Sequence, residues 1–324
     1  MKAPLSVCVA GTGFWAPPTV QTAADLAPLV GRSEAWIRSR TGVHERRISD
    51  ESMAQMAARA GRRAIGDGPP PDLVINASLT PMQLAPDSSV FVMRELGLDG
   101  IPSFSVHGSC LSFLVGLQQA SALISVGAAR RVLVVSAEQA SLCRNMSEPE
   151  SAVLLGDGAG AVLMTETPSG GESALLDLTM RTFPDGAELA EIRGFGSRHH
   201  PNRAGVEARD NLFFMNGPRI YRAAIPRVHK LVQDVLGAHK LTPEGVDWLV
   251  PHQASGPALA ALPRLGFATD RIVDVVGEYG NCVAASMPMA LARAAQDGRI
   301  QRGDTVMLLG TGAGLSVGAA LLRW

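Results

Sequence analysis

Aromatic residues are scarce in this chain, 5% of 324 positions, while hydrophobic residues make up 46% and glycines number 34. A core with few bulky rings has to be built from small residues at close contacts between helices and sheets. Neither sign of charge dominates: 29 Lys and Arg face 30 Asp and Glu, and no run of like charges occurs. That excludes the basic footprint of a nucleic-acid binder and the charged face of a membrane-surface helix. The four cysteines, Cys8, Cys110, Cys143 and Cys282, show no pairing pattern and no CxxC spacing of a metal site. Free thiols in a chain of this size point to a reducing, cytoplasmic compartment. No apolar run is long enough to span a membrane, and "MKAPLSVCVAGTG" is too short and broken for a signal peptide. No linker rich in Gly, Ser or Pro divides the chain.

What is present is an alternation. Short apolar runs such as "LSVCVA", "DLVINAS", "RRVLVVSAE", "GAGAVLM", "DWLVPHQAS", "DTVMLLG" and "VGAALLRW" read as strands. Between them, "SMAQMAARAGRRAI", "CLSFLVGLQQASALISVG", "GPRIYRAAIPRVHKLVQDVLGAHK" and "SMPMALARAAQDG" carry apolar positions at a helical period. Strands this continuously apolar suit sheets covered on both faces by helices.

The chain also repeats itself at long range. "DLVINAS" at Asp72 resembles "DWLVPHQAS" at Asp247, an offset of 175. "GSC" ending at Cys110 resembles "GNC" ending at Cys282, an offset of 172, and each is followed by a long helix. "RRVLVV" at Arg130 resembles "GDTVMLL" at Gly303 in much the same register. The expected organisation is two similar halves, 1–170 and 171–324. The first carries an excursion near 138–152 and the second a Gly-, Arg- and His-rich surface loop near 184–210. A pseudo-twofold between the halves would bring Cys110, His252 and Asn281 together at equivalent strand–helix junctions. Singly, a cysteine is most often a small core residue, a histidine a satisfied structural one, and an asparagine a turn or cap. Together they make a nucleophile, an imidazole and an amide. A helix N-terminus at Cys110 would lower its thiol pKa. One decoy falls away: "GTGFWA" at 11–16 matches a dinucleotide fingerprint, but Pro17 and Pro18 forbid the helix that fingerprint needs, and "GTGAG" at 310–314 has too little chain after it.

"SCLSFLVGL", "LLGDGAGAVLM", "DWLVPHQAS", "EYGNCVAASMPMALARA", "GTGAGLSVGAALLRW" and "AWIRSRTGVHERRI" resemble the thiolase superfamily, nearest to β-ketoacyl-[acyl-carrier-protein] synthase III and its relatives. The resemblance runs in order over nearly the whole chain. It implies an α/β, five-layered α-β-α-β-α fold, a homodimer, and a Cys–His–Asn triad of Cys110, His252 and Asn281. It further implies an oxyanion hole from the backbone N–H groups of Cys110 and Ala313. An acyl group from an acyl-CoA would load onto Cys110. His252 Nε2–H and the Asn281 amide would then stabilise the enolate left by decarboxylation of malonyl-CoA or a malonyl carrier protein. No metal or organic cofactor is implied. Trp36 and Arg40 match the segment flanking the CoA adenine and phosphates. Asp157 in "GDGAG" reads as a supporting turn, and Gly156, Gly158 and Gly160 as sites of close backbone approach or positive φ.

Several positions depart from the family pattern. His107 and Ser109 precede the nucleophile where small residues are usual, and His107 has no evident role. Ser255 replaces the amide of "HQAN" that holds the pantetheine arm, and Pro257 stands where the carrier-docking form has Arg. The adenine-stacking Arg has no counterpart in "SEPESAVLLGDG". The acyl-pocket loop, contributed across the dimer, reads "QLAPDS", with Ala85 at the gate and Met82 and Leu84 beside it. Less bulk there admits an acyl group larger than acetyl, which points to a specialised relative in secondary metabolism. The competing readings are transfer of the acyl group to a hydroxyl or amine without decarboxylation, and head-to-head condensation of two acyl-CoAs. A non-catalytic chain-length partner would lack the cysteine.

Overall fold

The computed structural model describes residues 6–324. Two sheets organise it. The first runs in the order Val7–Trp15, Asp157–Glu166, Arg131–Gln139, Leu73–Asn76, Ser103–Ser105, and the second Trp248–Pro251, Thr305–Gly312, Ser316–Arg323, Ala174–Thr182. Both are mixed: Leu73–Asn76 lies parallel to both Arg131–Gln139 and Ser103–Ser105, and Trp248–Pro251 parallel to Thr305–Gly312, while the remaining pairs are antiparallel.

Side-chain alternation along each strand feeds two cores. Val132 and Val134 point inward to a central layer with Leu114 and Leu117 of helix Ser112–Ser125 and Met287 and Leu291 of helix Ser286–Gln296. Leu133 and Val135, one residue out of phase, pack instead on Met56 and Ala60 of the outer helix Met53–Ile65. On the other side, Met307 and Leu309 pack on Leu231 and Val235 of helix Gly217–Ala238. Helix, sheet, helix pair, sheet, helix make the five layers expected, and burial on both faces explains why the strands read as unbroken apolar runs.

Close contact at small residues holds the layers together. A methyl group at Gly160 would lie 2.5 Å from the Met289 backbone nitrogen and 2.7 Å from the Pro288 carbonyl carbon. Gly158 likewise abuts the Met289 sulfur, so close approach, rather than positive φ, is what these glycines supply. The strand Val7–Trp15 continues through Gly11 and Gly13, so "GTGFWA" is sheet, and both glycines abut the backbone of helix Met53–Ile65 at Ala64 and Ala60.

The structure shifts the register of the internal repeat. Ser112 opens one central helix and Ser286 the other, 286 against 112, an offset of 174. The preceding 3-10 turns, Ser109–Leu111 and Val283–Ala285, keep that offset, and each begins at a positive φ, 54° at Ser109 and 47° at Val283. Cys110 is therefore matched with Ala284, not with Cys282, and Asn281 falls opposite His107. The motif match "GSC"/"GNC" was two residues out because it followed residue types, whereas the backbone repeats the left-handed turn. Of the two loops, the excursion starts later than expected, since Arg131–Gln139 is still strand. The 184–210 loop is only partly surface: Leu189 is buried, and a short ribbon of Ala190–Glu191 and Phe214–Met215 follows directly on it.

Candidate active site

One cavity of about 570 Å³ brings the expected chemistry together. Cys110, His252, Asn281 and Ala313 all line it, as do Arg40 and Ser255 nearer its mouth. Apolar side chains make most of the remaining wall, including Met215, Ile220, Val228, Leu259, Leu262 and Leu265.

Cys110 sits within the 3-10 turn, two residues before the helix proper. It is half-buried against Ala140, Leu155 and Val283. Burial pushes its thiol up to about 12; the nearby Glu138 carboxylate adds to the push, and the N–H groups of Ala313 and Cys110 itself pull back. The expected lowering at a helix N-terminus is thus overturned. Loss of water around the sulfur, with the Glu138 charge, outweighs the two N–H groups, and the resting nucleophile is a thiol. The same two N–H groups converge where an oxyanion would form.

Glu138 escaped sequence analysis. It is the penultimate residue of the apolar strand Arg131–Gln139 and is fully buried. Its carboxylate accepts from the backbone N–H groups of Leu79 and Thr80, the latter at 3.3 Å. Burial pushes this carboxyl up to about 8, opposed by the N–H groups of Leu79, Thr80 and Ala284. The signal was the one acid closing "RRVLVVSAE".

His252 follows directly on the strand Trp248–Pro251, and its N–H donates to the Leu309 carbonyl at 2.8 Å. Burial pushes the imidazole down to about 4, so it is neutral at physiological pH. Its Nδ1 lies 2.6 Å from the Ser286 hydroxyl. Asn281 is held from three sides. Its N–H donates to Leu154 at 2.7 Å, its carbonyl accepts from Gly156, and its side-chain Oδ1 accepts from the Val283 N–H at 2.8 Å. Nδ2 donates to the Ala254 carbonyl at 3.3 Å. With Oδ1 committed, the second amide proton is left for the cavity.

The other expected residues divide. The Arg40 guanidinium donates to Glu150 Oε1 at 3.0 and 3.2 Å at the cavity mouth. Ser255 lines the cavity, but its hydroxyl caps the helix Gly256–Ala260, accepting from Ala258 N–H at 3.3 Å. Trp36 does not line the cavity: it is half-buried against Ala152 and Val153, with the Arg32 guanidinium 5.4 Å from its ring. Met82, Leu84 and Ala85 lie on an exposed loop outside the cavity of the single chain, where Leu84 is 86% exposed. Asp157 is a supporting anchor as expected, buried and accepting from Ser49 N–H at 2.9 Å and from the Ser141 N–H and hydroxyl at 2.8 Å. His107 is exposed and outside the cavity.

Comparison with known proteins identifies the family. Residues 104–184 match the family described as 3-oxoacyl-[acyl-carrier-protein (ACP)] synthase III, and residues 236–324 match its C-terminal region. The chain is 36% identical over 322 residues to a β-ketoacyl-[acyl-carrier-protein] synthase III of Granulibacter bethesdensis, covering 97% of this chain and 98% of the relative. It is also 36% identical over 325 residues to β-ketoacyl-[acyl-carrier-protein] synthase III 3 of Streptomyces coelicolor, covering 97% and 96%. Among solved structures, the 3-oxoacyl-(acyl carrier protein) synthase III of Pseudomonas aeruginosa superposes with a TM-score of 0.91 at 32% identity, covering 98% of each chain.

Proposed function

This chain belongs to the 3-oxoacyl-[acyl-carrier-protein] synthase III family of condensing acyltransferases, and we propose that it loads an acyl group from an acyl-CoA onto Cys110 and condenses it with a malonyl thioester. The observation that carries this reading is the meeting of the Cys110 thiol, the His252 imidazole and the Asn281 amide in one cavity, beside the N–H groups of Cys110 and Ala313.

In the first half-reaction Cys110 Sγ attacks the thioester carbonyl as its proton is given up. The carbonyl oxygen, now an oxyanion, accepts from the two backbone N–H groups. Collapse breaks the bond to CoA sulfur, which leaves with a proton as free thiol, and the acyl group stays on Cys110. In the second, the malonyl thioester oxygen accepts from Asn281 Nδ2–H and His252 Nε2–H. Loss of carbon dioxide leaves its electron pair on the α-carbon as an enolate held by those donors. The carbanion attacks the acyl-Cys110 carbonyl, the C–S bond breaks, and the sulfur takes back a proton as the β-keto thioester departs. The exposed loop of Met82, Leu84 and Ala85 would, in a homodimer, form part of the partner's acyl pocket.

Intact-mass analysis after incubation with a panel of acyl-CoAs tests the first step. Wild type should gain one acyl mass and Cys110→Ala none; equal gain by both would reassign the nucleophile. Adding malonyl-CoA should then release carbon dioxide and yield a β-keto product. Acylation followed instead by transfer to an added alcohol or amine, without carbon dioxide, would replace the condensing reading.

A further inference from the structure

Ser286 lies behind His252, away from the substrate, and has three hydrogen-bond partners for one hydroxyl. Its Oγ is 2.6 Å from His252 Nδ1, 2.9 Å from the Val283 carbonyl oxygen, and 3.3 Å from the Gln253 N–H. The residue is 2% exposed, so water does not supply a partner. Gln253 N–H can only donate, and it therefore occupies one lone pair of Oγ. The single hydroxyl proton is left with a choice between the Val283 carbonyl and the imidazole nitrogen.

The internal repeat supplies a control. Ser112, the counterpart of Ser286 in the first half, faces no imidazole. It accepts from Gly108 N–H at 2.9 Å and donates to the Ser109 carbonyl at 2.7 Å. Beside His252 the equivalent carbonyl contact is longer, 2.9 Å, and the shortest contact is the one to the ring. Of the two acceptors open to the hydroxyl proton, the ring nitrogen is the nearer. The incoming Gln253 N–H polarises the hydroxyl and strengthens its donation.

We propose that Ser286 is a positioning residue that donates its hydroxyl proton to His252 Nδ1 and so fixes the tautomer carrying its one ring proton on Nε2, aimed at the malonyl thioester oxygen. The neutral state that burial imposes on His252 makes this consequential, because a neutral imidazole has one N–H to place. On Nδ1 that proton would face the protein, and Nε2 would turn a lone pair toward an oxygen that is gaining negative charge. On Nε2 it stands beside the free Asn281 Nδ2–H, and two neutral donors meet the enolate. The ring is held without being charged. This assignment rests on the condensing reading of the site, but it makes a statement about the resting enzyme that can be read without any substrate.

The test is long-range ¹H–¹⁵N correlation NMR on ¹⁵N-histidine-labelled enzyme, with the His252 signals assigned by their loss in His252→Asn. Nε2 should be pyrrole-like and Nδ1 pyridine-like in wild type. Ser286→Ala should shift His252 toward the other tautomer or a mixture. It should lower kcat for malonyl-CoA decarboxylation roughly tenfold to a hundredfold with little change in KM, the range that loss of a histidine's orienting hydrogen bond costs at metal sites. Acylation of Cys110 should be unchanged. Ser286→Thr, which keeps the hydroxyl, should restore both tautomer and rate. A pyrrole-like Nδ1 in wild type overturns the assignment whatever the variants do. So does Ser286→Ala with unaltered tautomer and rate. Failure of Cys110 to acylate, with the expected wild-type tautomer, would instead count against the condensing reading alone.

Discussion

Glu138 lies buried near Cys110 with no cation paired to it among the described residues, and its charge helps keep the proton on the Cys110 sulfur. The carboxylate also ties the backbone of Leu79 and Thr80, at the root of the exposed Met82–Ala85 loop, to the floor of the active site. A charge placed beneath a nucleophile opposes its ionisation, so Glu138→Gln should make Cys110 more reactive once the wild-type carboxyl is ionised. Above pH 8, iodoacetamide alkylation of Cys110 should be about threefold to tenfold faster in the variant, the equivalent of up to one pKa unit. Near pH 6, where the wild-type carboxyl is protonated, the two rates should agree. Equal rates at pH 9 would show that the charge does not reach the sulfur.

The same carboxyl makes stability depend on pH. Its folded value of about 8 lies above the ordinary 4.5, so between those values the folded chain holds a proton that the unfolded chain has lost. Stability from this group is full below pH 4.5 and falls as pH rises toward 8. His252 works the other way. Its value of about 4 lies below the ordinary 6.5, so its contribution is present above 6.5 and lost as pH falls toward 4. Urea unfolding of Glu138→Gln should lose the decline on the alkaline side and keep the acid one. A decline that persists in the variant would assign it to other groups.

Because the resting nucleophile is a thiol pushed up to about 12, wild-type alkylation should be slow at pH 7. It should rise close to tenfold per pH unit below pH 7 and again above pH 9, less steeply near pH 8 where Glu138 ionises, and reach no plateau by pH 10. Cys110→Ala reports the background from Cys8, Cys143 and Cys282, all buried. A plateau near neutral pH would mean a thiolate already formed, and would return the helix terminus to first place over desolvation.

Much of this was legible from residue pattern. Unbroken apolar runs such as "RRVLVV" require sheets covered on both faces, and the long-range repeat points Cys110, His252 and Asn281 toward one region, the cavity that all three line. What failed was residue-level register: matching cysteine to cysteine paired Cys110 with Cys282, while the positive φ at Ser109 and Val283 pairs it with Ala284. A backbone angle leaves little trace in sequence when neither residue is glycine. Glu138 and Ser286 were missed for a related reason. Each acts through one buried hydrogen-bonded contact, and nothing in the local pattern distinguishes a serine facing an imidazole from one closing its own turn. The direction of the Cys110 shift also needed structure, since it is set by how much water the fold removes.

Two glycines separate packing from chemistry. Gly160→Ala would drive a methyl against the Met289 nitrogen and the Pro288 carbon, backbone that cannot yield, and should cost about 3 kcal/mol of overpacking. Gly310→Ala meets side chains instead, Leu111 at 2.9 Å, His252 Cβ at 3.0 Å and Met287 at 3.1 Å. It should displace the imidazole and lower decarboxylation more than tenfold with a smaller loss of stability. Thermal melts read against decarboxylation rate check the pair. Similar melting losses with similar rates would show that the His252 face is no more sensitive than the sheet–helix contact.

At the cavity mouth, Arg40 is the one expected CoA contact that is charged, and it is already engaged by Glu150. Both side chains are about half exposed, so their pairing is worth little, and a phosphate has only to compete with one carboxylate. Glu150→Ala should therefore free the guanidinium and lower KM for acyl-CoA about twofold to fivefold, whereas Arg40→Ala should raise it by a similar factor. Both effects should shrink at high salt, because an exposed ion pair is screened within about 10 Å at 0.1 M. The acyl-pantetheine thioester, which lacks the nucleotide phosphates, separates charge from tunnel shape: neither variant should change its KM. If both variants leave acyl-CoA untouched as well, the phosphates do not pass Arg40, and the donor thioester enters with its nucleotide elsewhere on the rim or on a carrier protein.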